Sequence, residues 1–103
     1  MVKSELIKHL VSKQTNLSNE DVVFGVNTII EQLSQSLVKN ERIEIRGFGR
    51  FELRYRRARQ AHNPRTGEGV MTIEKYTTHF KPGKELRDRI NAARFKYPIQ
   101  NSR

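Results

Sequence analysis

Six arginines, Arg50, Arg54, Arg56, Arg57, Arg59 and Arg65, fall within a stretch that holds a single acid, Glu52. A guanidinium is a permanently charged planar fork of donors that fits phosphate oxygens and groove edges, so this run points to a polyanionic partner. A solvated charged face is the ordinary origin of such a run, and the use of arginine in place of lysine weighs against it here. Upstream, Arg42, Glu44 and Arg46 alternate with Ile43 and Ile45; downstream, Asn63-Pro64-Arg65-Thr66-Gly67 has the composition of a tight turn.

Acid–base, nucleophilic and metal chemistry find no comparable support. The chain has no cysteine, and His9, His62 and His79 stand apart from one another, without the spacing of a ligand pair. No Gly-x-x-x-x-Gly-Lys loop or Gly-x-Ser-x-Gly elbow occurs. Gly47-Phe48-Gly49 lacks the third glycine and following helix of a dinucleotide loop, and reads instead as a hairpin turn. No metal, no cofactor and no enzymatic activity are expected.

The 103 residues suffice for one small domain. Leu, Ile, Val and Phe supply about a quarter of them, above the roughly 20% below which disorder is the default. The formal net charge is +9, and the isoelectric point is about 10.4. Residues 1–40 balance four lysines against four acids, so the whole excess lies in residues 41–103. Nucleic acid is the leading partner and an anionic membrane the second. The absence of cysteine suits a reducing cytoplasm, and no run approaches the roughly 18 apolar residues of a membrane span or forms a signal peptide. A cytosolic location is expected.

The elements that must position these residues follow from periodicity. Leu6, Ile7, Leu10 and Val11 predict a short helix over 3–14, ended by a break at Asn16 to Ser18. Ser18 with Asp21 three residues on gives a helix start, and Val22, Val26, Ile29, Ile30, Leu33 and Leu37 form a stripe over 19–38. The two helices should form an antiparallel hairpin with a shared apolar seam. From Glu41 the period becomes two, giving a first strand around Ile43 and Ile45 and a second through Phe51, Leu53 and Tyr55. Arg57 to Met71 has almost nothing apolar to bury, so it should stand out as a two-stranded arm turning at Asn63–Gly67. The chain returns through Val70, Ile73 and Tyr76 to Phe80. Pro82 and Gly83 should open a last helix with Leu86, Ile90 and Ala93 on one stripe and Glu85/Arg89 as an i,i+4 pair. A tail over 95–103 follows, with Pro98 halting the helix.

Three segments, Glu41-Arg-Ile-Glu-Ile-Arg-Gly-Phe-Gly-Arg-Phe51, Asn63-Pro-Arg-Thr-Gly67 and His79-Phe-Lys-Pro-Gly-Lys-Glu-Leu-Arg-Asp-Arg89, resemble the bacterial histone-like HU and integration host factor family. The likeness runs in order over residues 1–94. The charged first strand and the Lys-Glu-Leu-Arg-Asp-Arg helix are closer to the beta branch of integration host factor than to HU. The resemblance implies an α+β fold with an N-terminal helical hairpin, a three-stranded antiparallel sheet, a long β-ribbon arm over about 56–73 and a C-terminal helix. It also implies an intertwined dimer that bends double-stranded DNA through the minor groove. The partner would be an alpha subunit, or a second copy of the chain in an HU-like homodimer of low sequence preference. A role in nucleoid architecture, recombination, transcription and replication goes with it.

Residue by residue, the resemblance makes Pro64 the wedge inserted between base steps, flanked by Asn63 and Arg65 and approached by Arg54, Arg56, Arg57, Arg59 and His62 along the arm. Arg42, Glu44 and Arg46 match a strand facing the minor groove, with Glu44 holding Arg46 in place. Lys3 and Ser4, the backbone at Gly47, and Lys81, Lys84 and Arg87 match positions that clamp phosphates. One departure stands out: His62 occupies a position where the family usually has arginine. A small basic RNA-binding protein is the rival from another class, unsupported by any aromatic RNA-binding motif. A peripheral membrane protein lacks the basic amphipathic helix it would need.

Overall fold

In the computed structural model, which describes residues 1–99, the Ser18 hydroxyl accepts the Asp21 N–H at 3.1 Å. That cap starts α2 (Asn19–Val38), with Glu20 and Asp21 favourably placed at its positive end. Asn40, at φ 59°, turns the chain out of it through the left-handed conformation that asparagine tolerates. Before it lies α1 (Lys3–Lys13). The chain forms two compact units, Met1–Lys39 with these helices and a second from Asn40 onward.

Only part of the α2 stripe is used by the hairpin. Val22 and Val26 are buried and Leu33 and Leu37 half-buried, whereas Ile29, Ile30 and Phe24 remain exposed. The shared seam takes up only part of the stripe for a reason of length. Eleven residues of α1 span about 16 Å and twenty of α2 about 30 Å, so the shorter helix cannot cover the longer. The α2 stripe is thus wider and longer than this unit needs for its own core.

The second unit contains β1 (Ile43–Ile45), β2 (Gly49–Arg56), β3 (Arg59–His62), β4 (Gly69–Thr72), β5 (Lys75–Pro82) and α3 (Lys84–Ala92). Strands β1, β2 and β5 make an antiparallel sheet in the order β1-β2-β5, and β3 and β4 a separate two-stranded ribbon. Register sorts the sheet into two faces. Ile43, Phe51 and Phe80 share one cross-strand row, and Phe80 lies 4.7 Å from Phe51 and 5.3 Å from Phe48 between ring centres. Glu44, Arg50 and Lys81 make the next row, on the opposite face. Arg54 opposite Thr77 and Arg56 opposite Lys75 continue that face. The sheet is therefore aromatic on one side and cationic on the other.

Two glycines are fixed by geometry. Gly47 has φ 82° in the turn closed by Phe48 N–H donating to the Ile45 carbonyl at 2.9 Å. A Cβ on Gly49 would sit 2.6 Å from the Lys81 carbonyl oxygen and 2.8 Å from the Phe80 ring, so any side chain there would drive β2 off β5.

The ladder between β2 and β5 ends at Arg56 opposite Lys75, and the ribbon ladder begins at Arg59 opposite Thr72. Both strands thus skip two residues, Arg57-Ala58 and Ile73-Glu74, at the same level. This is the root of the arm.

Three expectations need correction around α3. Pro82 ends β5, and Gly83 is the residue capping the helix; proline at an edge position costs no ladder bond. The helix stops at Ala93, where the Ala93 and Arg94 amides turn back to Arg89 and Asn91, so Pro98 is not what halts it. Glu85 and Arg89 make no ion pair; the pair formed among the described residues is Arg42–Glu44. Residues 100–103 of the expected tail lie outside the described residues.

Candidate nucleic-acid interface

The polar face of the sheet and the start of α3 enclose a concavity of about 570 Å³. Arg46, Arg50, Lys81, Lys84 and Arg87 line it, against the single carboxylate of Glu44. The α3 N-terminus opens beside it. Gly83 provides no side-chain cap, and its N–H donates to the Phe48 carbonyl at 2.9 Å, holding the helix start against the β1–β2 turn. Uncapped amides, a positive helix end and five cations make a place suited to phosphate oxygens. Arg50 adds a separate sign, because its Nε is buried without an acceptor among the described residues. An unsatisfied donor of this kind is costly.

Glu44 does not hold Arg46 as expected. Its carboxylate forms an ion pair with Arg42 Nη2 at 3.1 Å, and Arg46 lines the concavity without an ion pair among the described residues. Alternation alone would put Arg42, Glu44 and Arg46 on one face, but β1 ends at Ile45 and Arg46 has already entered the turn, where the alternation stops.

Along the arm, Arg59 pairs with Thr72, Ala61 with Val70, and His62 with Gly69. The tip is closed by Asn63, whose N–H donates to the Glu68 carbonyl at 2.8 Å and whose side-chain oxygen accepts the Arg65 N–H at 2.9 Å. Gly67 completes the turn at φ 73°, its N–H donating to Asn63 O at 2.8 Å. Pro64 is exposed at the end of this hydrogen-bonded loop, between exposed His62 and Arg65. At the root, Arg56, Arg57, Arg59 and Lys75 line a second concavity of about 240 Å³ together with Thr72 and Thr77.

One hydrogen bond crosses the root. The Tyr55 hydroxyl donates to Glu74 Oε2 at 2.6 Å, and Tyr76 lies edge-on 6.0 Å away. Donation to this carboxylate holds the Tyr55 phenol above its usual range, with desolvation and Tyr76 adding to the effect. A raised pKa in the folded state means that the bond's contribution is present at lower pH and is lost as pH rises through the raised value. Tyrosinate absorbance should therefore show one late-ionising tyrosine, and Glu74→Gln should bring it forward; an unchanged titration would show that the bond does not persist in solution.

The structure thus brings together Arg46, Gly47, Lys81, Lys84 and Arg87 at one concavity and Arg56, Arg57 and Arg59 at another, with Arg54 on the face of the sheet. His62, Asn63, Pro64 and Arg65 gather at the arm tip. Lys3 and Ser4 open α1 in the other unit, where Lys3 Nζ donates to Asn27 Oδ1 at 2.8 Å. Arg50 belongs to the arginine run that points to a polyanion, and strand register adds that it lines the concavity beside α3. Lys75 is not singled out by sequence reasoning, and its alternation with Tyr76 is the signal that could have found it.

A helical hairpin, a sheet with one cationic face, and a basic two-stranded arm ending in an exposed proline define an architecture for gripping a polyanionic rod. The family model of the bacterial DNA-binding proteins matches residues 1–91, and the chain belongs to that family. Integration host factor subunit beta of Alkalilimnicola ehrlichii is 54% identical over 101 residues, covering 98% of this chain and all of that one. The subunit of the same name from Hahella chejuensis is 57% identical over 93 residues, 90% of this chain and 95% of its own. Among solved structures, an Anabaena HU–DNA cocrystal structure superposes with a TM-score of 0.77 at 24% identity, over 87% of this chain and 97% of that chain. HU from Thermotoga maritima gives 0.58 at 29% identity, over 87% and 98%.

Proposed function

We propose that the chain is the beta-type subunit of an integration host factor dimer, a DNA-binding and DNA-bending protein of the nucleoid. The observation that carries this reading is the exposed Pro64 at the tip of an arm whose root is lined by four cations. Cations along the arm and in the concavity beside α3 attract and register the phosphates, and Pro64 enters the stack to localise the kink. Sequence preference then arises from the energy of deforming the duplex, with Arg46 near the groove. The work is architectural and non-catalytic, carried out in the cytoplasmic nucleoid. No helix among the described residues is long and apolar enough to cross a membrane.

The dimer follows from what a single chain leaves uncovered. Phe24, Ile29 and Ile30 on α2 and Phe48 beside the sheet are exposed, while Val22 and Val26 are the buried apolar side chains among the described residues. Large apolar surface of this kind in a small domain is what a partner subunit covers. An alpha chain is the partner this reading names, with a homodimer as the HU-like second form.

A bending assay on purified protein, with and without a candidate alpha chain, tests the proposal. Log affinity should fall linearly with log salt, with a slope of about −0.9 for every phosphate neutralised. A flat salt response or an unbent complex would defeat the reading; bending that needs the mixed dimer selects the beta-subunit form over the homodimer.

His62 offers a finer test. Arginine would place a permanently charged fork of donors at this position of the arm. His62→Arg is expected to tighten DNA binding at pH 8 by several-fold, on the order of 1 kcal/mol. Identical affinities for the two proteins at pH 8 would show that this side chain does not reach the groove.

A further inference from the structure

Residues 94–99 lie beyond the stretch that the family model matches, and beyond α3. Their backbone is nevertheless organised. The amides of Lys96 and Tyr97 both donate to the Ala93 carbonyl, at 3.1 and 2.9 Å, and Arg94 Nη1 donates to Asn91 O at 2.6 Å. The chain leaves the helix as a turn and keeps its large side chains in water: Phe95 is 82% exposed, Tyr97 68% and Ile99 94%.

Charge and aromaticity alternate in this turn. The Arg94 guanidinium lies 4.3 Å from the centre of the Phe95 ring, and Lys96 Nζ lies 5.4 Å from that of Tyr97. Each ring therefore carries the cation that precedes it. No acidic residue follows Asp88 in the sequence, and neither Arg94 nor Lys96 has an ion-pair partner among the described residues. Cations that are held in place by a ring and left unneutralised lose less side-chain freedom when they meet an anion. A neutral apolar groove on a protein would leave both charges facing a surface that cannot answer them. A phosphate backbone answers both.

We propose that the Arg94–Tyr97 turn is an additional contact for duplex DNA, gripping phosphates of the duplex flanking the segment held by the arm and the sheet. Arg94 and Lys96 make the phosphate contacts, and Phe95 and Tyr97 position them. The inference rests on the reading of the chain as a DNA-bending subunit, and it adds a site to that reading.

The test uses the full-length protein as its dimer and two duplexes, one confined to the bent segment and one longer by about one helical turn, roughly 10 base pairs, at each end. The double substitution Arg94→Ala with Lys96→Ala should leave binding and bending of the short duplex unchanged. On the long duplex it should weaken binding about three- to tenfold and flatten the salt slope by up to about 1.8, the value for two phosphate contacts. The charge-keeping pair Arg94→Lys with Lys96→Arg should restore most of the loss. Equal affinity of wild type and the alanine variant on both duplexes would overturn the proposal and leave the exposed rings to a protein partner. An equal loss on both duplexes would overturn it too, since the turn would not then be acting on the flanks. Failure of the wild-type dimer to bend the short duplex would instead overturn the DNA-bending reading itself, and the same assay reports it.

Discussion

Pro64→Ala yields a protein that still binds duplex DNA but bends it far less. The proline sits past the last ribbon pair, His62 opposite Gly69, where its rigid apolar ring projects from a turn held by Asn63 and Gly67. Apolar wedges of minor-groove benders, this family among them, unstack base steps at a few kcal/mol each and kink the duplex by roughly 20–90°. Alanine has too little apolar surface to hold a step open, so the kink should relax toward a smooth curve. Affinity depends chiefly on the cations, and its loss should stay within about tenfold, or 1.4 kcal/mol. Fluorescence transfer between the ends of a labelled duplex, read beside a titration, separates the two quantities. Gly67→Ala serves as the control: it strains the turn at φ 73° without removing the wedge. If Pro64→Ala and Gly67→Ala reduce bending and binding in equal proportion, Pro64 is only a turn residue.

The second large effect is expected far from the arm. Phe24, at 73% exposure in the single chain, is the bulkiest uncovered side chain on α2. Covering a phenylalanine stabilises by about 1.5–3 kcal/mol, and a dimer that buries one from each subunit loses both when it is replaced. Phe24→Asp should weaken dimerisation by roughly 10²- to 10⁴-fold, corresponding to 3–6 kcal/mol. Because folding and association are linked in such a small chain, the thermal midpoint of the wild type should rise with protein concentration. Sedimentation equilibrium and melting curves check both statements. A wild-type protein that is a folded monomer at micromolar concentration, or a Phe24→Asp variant that remains dimeric, would contradict them.

Most of the fold is legible in the sequence where local chemistry and tertiary demand agree. α2 begins at the Ser18 cap and fills the span its stripe predicts; the strand through Phe51, Leu53 and Tyr55 and the turn at Asn63–Gly67 appear where alternation and turn composition put them. The arm could be inferred from what it lacks, since a segment with nothing to bury cannot lie on a core. Reading fails where the outcome depends on distance. The Glu44 carboxylate has Arg42 and Arg46 at equal separation in sequence, and only the onset of the turn decides for Arg42. Likewise, a stripe of apolar residues on α2 does not announce whether its own hairpin or another chain will cover it. For the interface, composition identified the arginines of the arm, but the row that joins Glu44, Arg50 and Lys81 exists only through strand register.

The paired two-residue skips at the arm root impose a rule of parity on any lengthening or shortening of the arm. Neighbouring side chains along a strand point to opposite faces, so adding one residue to each strand would turn the whole arm inside out. His62 would exchange its outlook with Ala61, and the tip would reach the duplex with its cations reversed. Only even changes preserve the outlook, and two residues per strand alter the reach by about 6.6 Å. The spacing of base pairs along a duplex is roughly 3.4 Å. Reach along the groove is therefore quantised in steps of about two base pairs, and relatives with longer or shorter arms should differ by whole steps of that size.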